Sequence, residues 1–321
     1  MITLVEALRY RSLRYARLPL GRVTALAGPN GSGKAAFLDI PLLCGRLVSG
    51  SLEAAVYERA SDFRDLLWRR EGVNLELAIE AAVPEALRTG GFDCVRYEIA
   101  LGTERGAPAI LAERLVLRTP APEAAAELFE PATILTTRAA RNSKTIVHKG
   151  ANDNFYDETE RGWDHSFRLG PRRAALGHLP DDESKFPVAT WFRDLLATGV
   201  RRPPQPAAAS LEVVREALPQ VASVHMAAGR PVVSYQDGFE TSLLSEGTRR
   251  VLSLAAACEP GYAAVLLVDK PETALDSRAL HAVCRALRAA PCQVVVSTHS
   301  RDVIEWLGGS VLLFGQIAEP E

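Results

Sequence analysis

Gly28-Pro29-Asn30-Gly31-Ser32-Gly33-Lys34 has the spacing G-x-x-x-x-G-K. Glycines let backbone N–H groups wrap a phosphate chain, a following helix adds the positive end of its dipole, and Lys34 adds a full charge. The pattern is short, and the ordinary alternative is a glycine-rich turn with an incidental lysine. Further along stand four more stretches with chemistry-bearing residues. Leu244-Ser245-Glu246-Gly247 precedes a helical pattern. The apolar run from Ala264 to Val268 ends in Asp269 and Lys270. Pro271-Glu272-Thr273-Ala274-Leu275-Asp276 comes next, and the run from Val294 to Thr298 ends at His299.

The elements that must position these groups are legible in the hydrophobic periods. Arg22–Ala27 reads as a strand into the glycine-rich turn, and a helix carrying Phe37, Leu38 and Leu42 should follow from Gly33. Residues 50–70 have helix-like spacing. Strict alternation then appears in 73–79, 95–101 and 111–117, the pattern of an antiparallel meander. Residues 138–173 are polar and read as long loops. Helix and strand patterns alternate again over 246–315. The simplest fold is an α/β core made from both ends of the chain, 1–49 and 231–321, with 50–230 as an inserted β and helical lobe.

Composition narrows the function classes. The chain has 321 residues, 47% of them hydrophobic, as expected for a globular protein. With 37 Lys+Arg against 39 Asp+Glu, there is no general basic coat, so nucleic acid would need a local patch. Arg138, Arg141, Lys144 and Lys149 are the candidate cluster, although a charge run is more often a solvated surface. No apolar run approaches the roughly 18 residues of a membrane span. The five cysteines are scattered without C-x-x-C spacing, which points to a reducing, cytoplasmic setting rather than a disulfide framework.

Together the five motifs resemble ABC-type ATPase heads of the branch holding the structural-maintenance-of-chromosomes (SMC), RecF-like and overcoming-lysogenisation-defect AAA ATPases. The resemblance implies an α/β P-loop NTPase fold with an inserted meander, over a single ABC-type domain, 1–321. It implies two subunits closing around ATP. Lys34 and the loop amides of residues 28–35 would hold the β- and γ-phosphates. Asp269 would support a magnesium ion. Ser245 and Gly247 would reach the γ-phosphate held by the opposite subunit, Asp276 would line the seam, and His299 would act as the γ-phosphate switch. Each also has an ordinary reading: Ser245 as a helix N-cap, Asp276 as a solvated residue, His299 as a strand-end histidine. Tyr10-Arg11-Ser12 lies where related heads approach the adenine. Trp68, Phe92 and Tyr97 read as lobe core.

Two departures from the family pattern stand out. Ala35 follows Lys34 where a Ser or Thr hydroxyl should bind magnesium. Lys270 follows Asp269 where a Glu should orient the attacking water, a role closed to a protonated lysine. ATP binding with weakened magnesium and slow or no hydrolysis is therefore expected, in DNA repair, genome maintenance or phage defence. The expected partners are a second copy, a separate effector protein and, with the basic cluster, DNA. The competing readings are an active slow ATPase driving an effector and the ATPase subunit of a transporter.

Overall fold

Uniformly apolar runs and strictly alternating runs build two different sheets in this chain. The computed structural model describes residues 1–119, 131–135, 142–149, 154–158, 169–180, 183–207 and 210–314. In chain order the strands begin with β1 (Ile2–Tyr10), β2 (Leu13–Pro19), β3 (Val23–Ala27), β4 (Asn74–Ala82) and β5 (Cys94–Glu104). Next come β6 (Ala107–Arg118), β7 (Ser143–Lys149), β8 (Asn154–Tyr156), β9 (Val200–Arg201) and β10 (Val221–Ala227). The last are β11 (Arg230–Tyr235), β12 (Glu240–Thr241), β13 (Val265–Asp269), β14 (Gln293–Thr298) and β15 (Ser310–Leu313). The helices are α1 (Lys34–Ser49), α2 (Leu52–Tyr57), α3 (Pro187–Asp194), α4 (Leu211–Ala217), α5 (Glu246–Ala257), α6 (Ser277–Ala289) and α7 (Arg301–Leu307). The chain divides into two compact units, Met1–Pro19 with Asp39–Gly199 and Leu20–Leu38 with Val200–Glu321.

The second unit holds a parallel sheet in the order β15-β3-β14-β13-β9. In β13 and β14 the residues of both alternations are buried, which is how strands read when both faces of a parallel sheet are covered. Val251 and Leu252 of α5, Leu280, Val283 and Leu287 of α6, and Val303 of α7 join Leu266, Val268, Val294 and Val296 in one core. The ladders pair Asp269 with Ser297 and Thr298 with Ala27. The three central strands therefore end level with one another. A separate antiparallel sheet, β10-β11-β12, belongs to the same unit.

The first unit holds an antiparallel sheet in the order β2-β1-β4-β5-β6-β7-β8. One alternation is apolar, with Leu77, Ile79, Tyr97, Ile99 and Leu115 fully buried. The other carries buried charge. Arg96 donates to Glu98 at 2.7 Å, Glu80 at 2.9 Å and Glu6 at 2.7 Å, and to the Ile134 carbonyl at 2.9 Å. Burial alone would lower the Arg96 pKa, but the three carboxylates more than offset it and hold the guanidinium above its ordinary range. Burial also pushes the thiols of Cys44, Cys94, Cys258 and Cys284 up to about 12.

The fold class matches expectation: a mixed α/β architecture with a parallel core and an antiparallel meander. Several elements differ. Residues 50–70 hold only the short α2 and two 3-10 turns, because the Asp62 side chain accepts from Arg64 N and Arg69 takes φ +52°. The stretch read as loops contains β7 and β8. β1 pairs with β4 in the antiparallel sheet rather than joining β3. The unit boundaries fall after Pro19, Leu38 and Gly199, against expected core limits of 49 and 231.

Replacing Arg96 with Met should leave three buried carboxylates facing one another. Losing one partner of a buried ion cluster costs about 3–5 kcal/mol. Urea denaturation should show a loss of this size, partly recovered by adding Glu98→Gln; a loss below about 1 kcal/mol is the result for an exposed pair instead.

Candidate functional site

The loop from β3 to α1 is shaped by glycine. Gly28 has φ +153°, and a Cβ there would lie 2.5 Å from the Phe314 carbonyl oxygen, so no side chain fits. Gly31 and Gly33 also have positive φ. Lys34 opens α1 with its side chain folded over the loop. Its Nζ donates to the Gly28 and Pro29 carbonyls at 2.7 Å each and lies 3.3 Å from Ser32 Oγ. Burial lowers the Lys34 pKa and the Lys270 charge lowers it further, while Asp269 and Glu272 oppose both. Ala35 follows as an exposed methyl group.

The neighbouring strand ends bring charge to the same edge of the sheet. Asp269 closes β13 and accepts from Ser297 Oγ. Lys270 has φ +46°, a left-handed conformation that is costly for a lysine. It is held there by N–H donation to Ser297 O at 2.9 Å and by Thr273 N and Arg250 Nη2 donating to its carbonyl. Its Nζ reaches across to Asn30 Oδ1 at 3.3 Å. Among the described residues it forms no ion pair with Asp269 or Glu272. Glu272 Oε1 accepts from Thr298 Oγ1 at 2.9 Å and the His299 N–H at 3.2 Å, with His299 Nδ1 3.1 Å away. Its other oxygen, Oε2, is buried without a hydrogen-bond partner.

The two remaining motifs sit at helix starts. Ser245 is the N-cap of α5 and accepts from Thr248 N at 3.1 Å; Asp276 is the N-cap of α6 and accepts from Ala279 N at 2.8 Å. The ordinary reading of Ser245 as an N-cap is thus present in the geometry, while Asp276, read as a solvated residue, also caps a helix. A Cβ on Gly247 would stand 2.7 Å from the Ala274 carbonyl oxygen of the same chain. The need for glycine here is therefore satisfied by the chain's own packing, without reference to a second subunit.

The structure thus gathers Gly28, Pro29, Asn30, Gly31, Ser32, Gly33, Lys34, Asp269, Lys270, Glu272 and His299 along one sheet edge. No hydrogen bond joins Ser245 or Gly247 to the phosphate loop among the described residues. Two participants were missed in the sequence: Ser297, which donates to Asp269, and Arg250, whose Nη2 donates to the carbonyls of Asp269 at 2.6 Å and Lys270 at 3.0 Å. Arg250 lies one turn past Gly247, a spacing that carried the signal.

Other expectations need correcting. Tyr10 is fully buried and donates to Asp39 at 2.6 Å, so it presents no ring to a ligand. In the proposed basic cluster, Lys149 Nζ donates to the carbonyls of Gly170 and Arg173, and Lys144 Nζ to that of Glu158. Arg138 and Arg141 lie outside the described residues. Trp68 is half-buried between the guanidiniums of Arg14 and Arg69, 5.3 and 4.6 Å from its ring centroid, while Tyr97 is core as expected. Among the described residues no helix is long and apolar enough to cross a membrane.

A glycine-cradled loop and acidic strand ends at one edge of a parallel sheet define an SMC- and ABC-like P-loop ATPase fold. The chain belongs to the family described as "AAA domain, putative AbiEii toxin, Type IV TA system", whose model matches residues 119–305. That stretch holds Ser245, Asp269 and His299; the phosphate loop at 28–34 lies before it. Among solved structures, an SMC head bound to the C-terminal winged-helix domain of ScpA is similar at TM-score 0.55 and 13% identity, covering 95% of this chain and 91% of that one. The Pyrococcus furiosus SMC head with an extended coiled coil, bound to the C-terminal domain of ScpA, gives 0.56 at 12% identity, with the same coverage. Comparison with curated proteins gives no match.

Gly247→Ala should destabilise the isolated chain, because a methyl group forced against a backbone carbonyl costs about 1–3 kcal/mol. A lowered urea midpoint at a protein concentration where only monomer is present is the expected result.

Proposed function

We propose that this protein is an ATP-binding head that pairs with a second copy around nucleotide and acts as a switch for a separate effector. The observation that carries this reading is the gathering of the phosphate loop, Asp269, Glu272 and His299 at the carboxyl ends of β3, β13 and β14, where open α/β sheets bind ligands. Lys34 and the loop amides would grip the β- and γ-phosphates, exchanging carbonyl partners for phosphate oxygens. Asp269 would stand at the phosphate end, with His299, oriented through Nδ1 by Glu272, next to the γ-phosphate. Ser245, Gly247 and Asp276 would serve the opposite subunit, as the resemblance implies. Two SMC heads of similar fold are bound to a ScpA domain, which supports an effector on another chain. DNA repair, genome maintenance and phage defence remain the settings proposed, with DNA as a ligand of the assembly rather than of Lys144 or Lys149.

Hydrolysis should be slow, since water-orienting help is typically worth about 10²–10⁴-fold and Lys270 cannot give it. One observation favours the second reading, an active ATPase: Glu272 is a carboxylate beside His299, and its Oε2 has no hydrogen-bond partner.

Lys34→Ala should abolish ATP binding in calorimetry; equal affinity in both proteins would overturn the site. Light scattering should show a larger particle with ATP. Gly247 is unsuitable as the probe because of Ala274, but Leu243, next to the Leu244-Ser245-Glu246-Gly247 signature motif and 89% exposed, is open to substitution. Leu243→Arg should prevent the ATP-dependent particle while leaving the melting temperature unchanged. Fast phosphate release by the unaltered chain, lost in Glu272→Gln, would establish the second reading.

A further inference from the structure

The fold family implies a magnesium ion beside the phosphates, and the residues present do not fit it. The position that should offer a hydroxyl is the methyl of Ala35. Ser32 Oγ is taken up by Lys34, and Asp269 Oδ1 by Ser297. Lys270 adds a second ammonium whose charge acts on Lys34, and that added charge disfavours a divalent cation at the same phosphates.

Lys270 has the opposite character. Its ammonium has three donors and makes one long hydrogen bond, to Asn30 in the middle of the phosphate loop. A lysine serving only the fold would be expected to pair with Asp269 or Glu272, its neighbours in sequence, and it pairs with neither. Its left-handed backbone is fixed by Ser297, Thr273 and Arg250, and such local strain concentrates at functional sites. Lys270 thus holds a fixed positive charge against the loop that would wrap a triphosphate.

We propose that Lys270 takes the place of the divalent cation, so that this site binds the metal-free form of a nucleoside triphosphate. The inference rests on the reading of the loop as an ATP site and deepens it. Lys34 at the start of α1 and Lys270 after the end of β13 would contact the polyphosphate from two elements, and the spare donors of Lys270 would turn from Asn30 to phosphate oxygens. Binding of metal-free ATP and slow turnover then share one cause. The cation that normally offsets charge developing in the reaction is replaced by a group that can hold the ground state but cannot orient water.

The test is calorimetric titration of the full chain with ATP, once with excess magnesium and once with excess EDTA. The unaltered chain should bind equally in both, within about twofold. Lys270→Met removes the charge and keeps the length, and should weaken binding in EDTA about tenfold or more, the scale of a charge-assisted hydrogen bond. Lys270→Arg should retain metal independence, which separates charge from fold. Ala35→Ser with Lys270→Glu should bind only with magnesium. Tenfold loss of wild-type affinity on chelation, or unchanged affinity of Lys270→Met in EDTA, would overturn the proposal while leaving the ATP site in place. Absence of ATP binding by the unaltered chain in both buffers would overturn the ATP site itself and the proposal with it. Thermal melting of each variant verifies folding.

Discussion

The register of two parallel ladders, β3 on β14 and β14 on β13, governs everything at the candidate site. Pairing Ala27 with Thr298 and Asp269 with Ser297 brings three strand ends to one level. Slipping one strand by a residue would turn its side chains to the opposite face and separate Asp269 from Ser297, and Thr298 from Glu272. The register is fixed far from the chemistry, by Leu266, Val268, Val294 and Val296 packing against α5 and α6. Hydrophobic burial thus positions the charges, and the charges contribute little to holding the strands.

The two units handle buried cations in opposite ways. In the antiparallel unit Arg96 is saturated: three carboxylates and a carbonyl occupy its guanidinium, and the cluster is closed to any further anion. At the parallel sheet edge, Lys34 leans on neutral carbonyls and Lys270 on one amide oxygen. Neutral partners keep a cation hydrated by protein dipoles while leaving its charge uncompensated. The first arrangement is suited to stability and the second to capturing an anion.

The catalytic-looking residues were legible in the sequence because their chemistry depends on local spacing. The turn 28–34, the acid at 269 and the histidine at 299 each follow a short, largely apolar strand pattern, which is a local signal. The meander was legible from its change of period at residue 73. Partner choice was not legible: nothing in β1 says that it pairs with β4 instead of β3, and it is buried on both faces. Nor was the buried charge. Glu76 and Glu80 in one strand, and Arg96 and Glu98 in the next, alternate as a solvated face would, and only the segment at 131–135, whose Ile134 carbonyl accepts from Arg96, shows that the face is covered. Lys144 and Lys149 illustrate the reverse case, where a basic run looks like a surface and is consumed by backbone carbonyls.

The contact between Gly247 and the Ala274 carbonyl changes what the signature motif can be taken to mean. A glycine in that place is usually counted as a mark of a surface shared between subunits. Here the same glycine is demanded by the chain folding on its own. A descendant that had ceased to pair altogether would be under the same pressure to keep it, and so would still display the motif. Position 247 therefore reflects a packing constraint within the chain, whereas Leu243, almost fully exposed, carries no such constraint.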